Sequence, residues 1–255
     1  MKAVLYILLS VFLVSVFVQI VFATDISTKP EGVQAFVAKI VAAYGGRKVI
    51  EETTSVYAIG DITALMRQDR GSYELLFKRP RKLRVNITYQ QSSEERILDG
   101  NIGYRGTKDS PLSEVKGPNF LAMVYQYKHF DLPYGLLRGV YSITTEGRKD
   151  LNGKTVEVIH LADAEGPPMD MFVDTETFFI IKVTGHFVAA DGRTIALSSE
   201  FSNFGKVGDA VFPFKVINYA GEQRIAETIM KSYKINTAIP DHLFEPKSSL
   251  QNVLL

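Results

Sequence analysis

The sequence predicts a mainly β (α+β) fold, a single antiparallel sheet with helical segments that cover its apolar side. From residue 55 onward, most of the chain consists of short segments in which apolar and polar side chains alternate. This pattern is typical of strands with one buried face. Short runs of turn residues separate the segments, which favours antiparallel hairpins over parallel strands joined by helices. Two other segments, residues 28–46 and 119–137, predict helices.

The alternation is clearest in residues 75–89, which predict two strands joined at Pro80. Because proline has no N–H group to donate, Pro80 is expected at the end of a strand. The apolar residues of the second strand share one face: Leu83, Val85, Ile87 and Tyr89. The same period of two places a second apolar set on one face of a later strand: Phe179, Ile181, Val183 and Phe187.

The remaining strands are bounded by turn residues, including Gly60-Asp61. The strands expected before the second helix are 55–59, 62–68, 72–78, 83–89, 95–98 and 102–104. Those expected after it are 140–145, 155–161, 169–173, 178–188, 194–204, 211–219 and 224–235. Leu243 and Phe244 are expected to attach the closing segment to the sheet.

The first 23 residues predict an export signal. A single charge, Lys2, precedes an apolar run, and Val21 and Ala23 supply the small residues that signal peptidase requires before its cleavage site. About 20 apolar residues can also span a bilayer, so an uncleaved anchor is the alternative. In both cases residues 24–255 are expected to form one exported domain.

Two helices are predicted. The first has a capping box from Thr28 to Glu31 and an apolar stripe that ends at Gly45-Gly46. The second, residues 119–137, is apolar nearly all round, and Pro133 and Gly135 are expected to divide it into two short helices. Such a segment is either buried on all sides or a lid between the sheet and a ligand cavity, and both alternatives are open.

The composition argues against several classes of function. The 29 Lys and Arg residues nearly balance the 28 Asp and Glu residues, so no overall charge attracts nucleic acid. The absence of cysteine excludes disulfides, thiolate metal sites and a lipid-modified N-terminal cysteine. The four histidines show no metal-ligand spacing, and no nucleophile elbow or phosphate-binding glycine loop is present. We therefore expect no enzyme activity, no cofactor, no metal and no nucleic-acid partner.

The order of several short motifs resembles that of the periplasmic lipoprotein-sorting carriers, the LolA-like family. The motifs are Lys78-Arg79-Pro80, Ile97-Leu98-Asp99-Gly100, Gly103-Tyr104, Phe201-Ser202-Asn203-Phe204, Phe212-Pro213-Phe214-Lys215 and Leu243-Phe244-Glu245. The last three are similar to the outer-membrane lipoprotein-sorting subgroup. The resemblance spans residues 33–246.

This resemblance implies a strongly curved, unclosed β-barrel whose concave face is covered by an N-terminal helix and a short helical lid. It also implies a periplasmic monomer that carries acyl chains of lipoproteins or lipids from an inner-membrane donor complex to an outer-membrane acceptor. Arg79 matches the arginine that holds the lid shut. The residues expected to contact acyl chains are Leu75, Phe77, Leu83, Val85, Ile87, Phe120, Met123, Val124, Tyr127, Phe179, Ile181, Phe212 and Phe214.

Two other functions are weighed against the carrier. A membrane-anchored module that senses lipoproteins or envelope components would keep the N-terminal anchor. An envelope hydrolase would need two or more polar residues that converge in the cavity, and a purely apolar cavity would remove that hypothesis.

Overall fold

The computed structural model describes residues 30–188 and 192–246. The predicted export signal and Thr28 of the predicted capping box lie outside these residues. Within them the helices are α1 Pro30–Ala43, α2 Gly46–Glu52, α3 Gly117–Arg138 and a 3-10 helix, Asp241–Phe244. The strands are β1 Ser55–Ala64, β2 Asp69–Lys78, β3 Lys82–Tyr89, β4 Ser93–Asp99, β5 Ile102–Thr107, β6 Ser110–Val115, β7 Ser142–Leu151, β8 Lys154–Ala162, β9 Met169–Asp174, β10 Ile180–Val188, β11 Thr194–Val207, β12 Ala210–Ala220 and β13 Gln223–Ile235.

The thirteen described strands form one antiparallel, unclosed sheet in the order β6-β5-β4-β3-β2-β1-β13-β12-β11-β10-β9-β8-β7. The chain enters at β1, in the middle of the sheet, and proceeds by hairpins to one edge at β6. Helix α3 then crosses to the opposite edge at β7. The chain returns by hairpins until β13 pairs with β1, with Val56 opposite Ile235. The predicted mainly β fold is confirmed.

Helix α3 packs on the concave face of this sheet between two apolar clusters. The first cluster joins β1–β4 and β13 to Met123, Val124 and Tyr127 of the helix. The second joins α1 and β8–β10 to the opposite side of the helix, through residues such as Leu132 and Leu136. The alternation of apolar residues on the strands supplies the concave surface, and the helix covers it.

The outer face of β1, β2 and β4 is covered by the closing segment. Leu243 and Phe244 are 1 % and 0 % exposed, so their predicted role in attaching this segment is confirmed. Arg84, on the β3 face opposite the apolar residues, is also buried, and its Nη1 donates to the carbonyl oxygen of Leu243 at 2.6 Å. The side of β3 that the alternation marks as polar is therefore partly covered by the chain terminus.

The turn expected at Gly60-Asp61 is wrong. Strand β1 continues through both residues, with a bulge between Ile59 and Gly60, and the turn follows Ala64. A Cβ atom on Gly60 would lie 2.4 Å from the carbonyl oxygen of Ile229 on the neighbouring strand. Gly60 therefore allows close approach of two strands rather than a turn.

The division of the second helix at Pro133 is also wrong. Helix α3 continues from Gly117 to Arg138 and ends at Gly139, which has a left-handed φ of 66°. Proline inside a helix costs about 3 kcal/mol, but apolar contacts on two sides of α3 offset that cost. A Cβ atom on Gly135 would lie 2.6 Å from the Tyr141 ring, so the glycine allows this ring to pack directly against the helix.

Two elements were not predicted from the sequence. Helix α2 begins at Gly46, the second glycine of the pair that follows α1, and Gly45 before it has a left-handed conformation. Strand β6 forms the sheet edge although its sequence contains a proline, which an edge strand tolerates because one of its sides has no ladder partner.

Candidate ligand-binding cavity

A cavity of about 570 Å³ lies between the concave face of the sheet and α3. Its volume falls within the range of about 300–1,000 Å³ that is usual for ligand sites. Apolar side chains from the sheet and from α3 form much of its wall. They include Val56, Ile62, Phe77, Ile87, Met123, Phe130, Ile180, Phe212 and Met230. The space is therefore suited to an apolar ligand or an apolar part of one.

The structure brings four of the residues expected to contact acyl chains into the cavity wall: Phe77, Ile87, Met123 and Phe212. Five others are buried in the first apolar cluster: Leu75, Leu83, Val85, Val124 and Tyr127. Phe120 and Phe214 pack on the same cluster, and Phe179 stacks on Phe204 at 4.4 Å between ring centroids. The side chains in this cluster pack beside the residues that line the cavity.

Ile181 does not take the inward position that the alternation indicates. A bulge between Ile180 and Lys182 shifts the register of β10 against β9. Ile180 is consequently 3 % exposed and lines the cavity, while Ile181 is half-buried. A bulge inserts one residue into one strand, which changes the face of every residue on one side of it.

Arg79 follows β2 directly and contacts α2 and α3 beside the cavity. Its Nε donates to Oδ1 of Asp131 on α3 at 2.7 Å, and its Nη1 donates to the carbonyl oxygens of Ile50 and Thr53, both at 2.7 Å. The guanidinium also lies 3.8 Å from the centroid of the Tyr134 ring. Burial raises the pKa of Asp131 above its usual value, although the charge of Arg79 opposes that shift. This side chain ties β2 and α2 to α3.

A second ion pair ties α3 to the other half of the sheet. Lys128 Nζ contacts Oδ2 of Asp163, in the segment after β8, and the two side chains are only 7 % and 6 % exposed. Near the first ion pair, the Tyr127 hydroxyl accepts a hydrogen bond from the backbone N–H of Arg81 at 3.0 Å. Polar contacts at both sides of the sheet thus hold α3 over the cavity.

One end of the cavity is charged, which sequence reasoning missed. Glu94 and Arg96 precede Leu98 on the concave face of β4, and Arg105 lies directly opposite Arg96 on β5. The signal was present, because the period of two that places Leu98 inside also places Arg96 and Glu94 inside. Gln126 of α3 accepts a hydrogen bond from Arg96 Nη1 at 3.2 Å, which links the helix to this charged end.

His129 of α3 also lines the cavity and was not singled out from the sequence. Its ring makes edge contacts with Tyr125 at 4.3 Å and with Phe201 at 5.3 Å between centroids. Its Nε2 is buried without a hydrogen-bond partner in the part of the chain that the structure describes. Burial lowers the pKa of His129 to about 3, so the imidazole is neutral near pH 7.

We expect His129 to make the stability of the protein depend on pH. The unfolded imidazole has a pKa of about 6.5 and the folded one about 3, so only the unfolded state gains a proton between these values. Stability should therefore fall as the pH drops from 7, by about 2 kcal/mol at pH 5. Urea unfolding at pH 7 and pH 5 measures this loss, which should be smaller by about 2 kcal/mol in His129→Phe than in the wild type. The same loss in both proteins would contradict the prediction.

The cavity is not purely apolar, because several polar residues converge in it. The hydrolase hypothesis is therefore not removed on that ground. In the described residues the hydrogen bonds of these polar groups do not join a nucleophile to a base. Ser199 Oγ donates to Asn218 Oδ1 at 2.9 Å, and Ser198 Oγ pairs with Thr184 Oγ1 at 2.9 Å. No group of three or more metal-ligating side chains occurs within residues 30–188 and 192–246. The arrangement can hold polar groups of a ligand.

Comparison with sequence-family models and with curated proteins gave no match. Solved structures do match. A Desulfovibrio piger protein of the DUF1329 family has a TM-score of 0.56 and 10 % identity over 84 % of this chain and 97 % of its own. A LolA superfamily protein from Nitrosomonas europaea has a TM-score of 0.53 and 14 % identity, with coverages of 83 % and 96 %.

A domain from Vibrio parahaemolyticus, described as an outer membrane lipoprotein-sorting protein domain, has a TM-score of 0.53. It is 11 % identical over 83 % of this chain and 95 % of its own. The chain has the LolA-like fold. At 10–14 % identity, this structural similarity shows the fold alone. Among the described helices, none combines the length and the apolar character needed to cross a bilayer.

Proposed function

We propose that the protein carries acyl chains of lipoproteins or lipids in this cavity through the periplasm for delivery to the outer membrane. The observation that supports the proposal most is the cavity itself, about 570 Å³ between an apolar sheet face and a helix. A LolA superfamily protein and a lipoprotein-sorting domain have the same fold. The predicted export signal is consistent with this location.

The physical chemistry of the cavity suits this cargo. Burying an acyl chain gains about 0.8 kcal/mol per methylene, so apolar surface rather than hydrogen bonding supplies the affinity. A carrier must also release its cargo. Contacts such as Arg79–Asp131 and Lys128–Asp163 hold α3 over the cavity, and charged groups that separate can be solvated by water. The helix acts as the lid, and Arg79 as its latch.

The proposal is tested on protein purified under gentle conditions. Native mass spectrometry should show acyl-bearing lipid bound to one monomer, and the organic extract should contain the same lipid. Loaded protein should then transfer that lipid to acceptor vesicles. Protein that carries no lipid, and takes up none from donor vesicles after delipidation, would contradict the proposal.

A further inference from the structure

The charged end of the cavity contains a pair of arginines that face each other across two strands. Arg96 on β4 and Arg105 on β5 are directly opposite, a placement that is destabilising for like charges. Glu94 compensates for part of that repulsion. Its Oε1 accepts hydrogen bonds from the Nε atoms of both arginines, each at 2.7 Å. The three side chains form a compact cluster on the concave face.

One carboxylate serves two guanidinium groups, so the cluster keeps a net positive charge. Burial opposes ionisation of Glu94, but hydrogen bonds and charge from Arg96 and then Arg105 outweigh it and lower the pKa of this carboxyl. Glu94 is therefore ionised at neutral pH. Within the described residues the cavity wall contains three arginines, including Arg79, and this single acidic side chain.

The arginines retain hydrogen-bond donors for a ligand. Arg96 uses Nε on Glu94 and Nη1 on Gln126, whereas the described contacts of Arg105 use only Nε. The side chain of Arg105 is 46 % exposed, so its terminal nitrogens can be reached. A guanidinium that presents two parallel N–H groups matches the oxygens of a phosphate or a carboxylate.

Neutral hydrogen-bonding groups border the same end. Tyr73, Tyr89 and Asn119 line the cavity together with the two arginines. Burial raises the pKa of Tyr73 to about 12, so its hydroxyl keeps its proton and adds no negative charge. Apolar residues such as Ile87 and Met123 line the same cavity. One molecule with a charged end and an acyl chain would satisfy both parts.

We propose that Arg96 and Arg105 bind the anionic group, a phosphate or a carboxylate, of an amphiphile whose acyl chain occupies the apolar part of the cavity. This inference rests on the proposed function and narrows its cargo to anionic lipids. The second guanidinium, which no carboxylate of the described protein neutralises, receives its counter-charge from the ligand. Because hydrogen bonds between a guanidinium and an ionised group are stronger than those to a neutral group, a neutral lipid of equal chain length should bind more weakly.

The test uses two lipids that differ only in a phosphate, oleoyl lysophosphatidic acid and monooleoylglycerol. Binding of each to the delipidated full-length protein is measured by titration, together with binding of inorganic phosphate. The wild-type protein should prefer the phosphate-bearing lipid at least about tenfold, as for a hydrogen bond to a charged group. Arg105→Gln should lose about tenfold of that preference, since it removes one charged donor.

The matched control is Arg148→Gln. Arg148 is an exposed arginine on β7 that contacts Glu157. Its substitution should leave the preference for the phosphate-bearing lipid unchanged. The preference is a ratio of two affinities for the same variant, so an overall loss of folded protein does not alter it. The melting temperature of Arg105→Gln verifies its fold independently.

The outcomes separate this inference from the function it rests on. Equal binding of the two lipids by the wild-type protein, or an unchanged preference in Arg105→Gln, would overturn the anionic site and leave the carrier intact. Binding of inorganic phosphate as tight as that of the lipid would make this a free-phosphate site and overturn the amphiphile. Failure of both lipids to bind would overturn the proposed function, and the inference with it.

Discussion

Arg79→Leu is expected to lower the free energy of unfolding by about 3–5 kcal/mol, the usual cost of removing one partner of a buried ion pair. The substitution leaves Asp131 without its cationic partner and removes the donor that Ile50 and Thr53 share. Because the same side chain ties β2 and α2 to α3, release of bound acyl chain should also become faster. Urea unfolding measures the first effect, and stopped-flow release of a fluorescent fatty acid the second.

Two further variants separate the latch from general damage. Arg79→Leu combined with Asp131→Leu should recover part of the lost stability, because no unpaired charge then stays buried, yet release should remain fast. The control is Arg138→Leu. Arg138 is an exposed arginine of α3 whose Nη1 lies 3.9 Å from Oε1 of Glu51. Its substitution should change the free energy of unfolding by less than about 0.5 kcal/mol. Release rates equal to wild type in Arg79→Leu would show that Arg79 is no latch.

Ala226→Phe is expected to reduce acyl-chain binding at least about tenfold, since loss of two buried methylenes already costs that much. Ala226 lies on β13 and lines the cavity, so a phenylalanine at this position occupies space that the acyl chain would take. The added ring fills a cavity rather than a packed core, so we expect the protein to remain folded. Titration with a fluorescent fatty acid measures the loss.

The control for this substitution is Ala238→Phe. Ala238 is exposed in the segment after β13 and is not among the described residues that line the large cavity. It should bind the fatty acid as the wild type does. If Ala226→Phe also bound normally while its melting temperature stayed unchanged, the acyl chain would have to lie elsewhere.

The alternation of apolar side chains predicted an antiparallel sheet with one apolar face. Leu83, Val85 and Ile87 are 1 %, 0 % and 5 % exposed, as their common face indicates. The pattern fails where a bulge inserts a residue, because local sequence does not mark the bulge. The clearest example is β10, where Ile180 lines the cavity although the alternation predicts Ile181 there.

Features that depend on contacts distant in sequence were harder to predict. Local sequence indicates a turn at Gly60, because it contains no sign that the backbone of β13 lies close to this residue. Pro133 looked like a helix breaker because the packing of α3 on two clusters offsets its local cost. Arg79 was singled out only through a resemblance, whereas its contact with Asp131, 52 residues away, follows from the fold.

The charged end of the cavity follows from the alternation in β4, if the inward face of Leu98 is traced back to Arg96 and Glu94. Their contact with each other and with Gln126 depends on the antiparallel register of β4 and β5 and on the position of α3. The length and hydropathy of single strands do not fix that register.

Photoaffinity labelling locates the acyl chain directly. A fatty acid with a diazirine near its methyl end is bound to the delipidated protein, activated by light, and the labelled peptides are sequenced. Labels should fall on cavity-lining residues such as Phe77, Met123 and Phe212. Ala226→Phe should strongly reduce them at a fatty-acid concentration that does not saturate the variant. Labels confined to the outer face of the sheet, or none at saturating fatty acid, would contradict an acyl-binding cavity beneath α3.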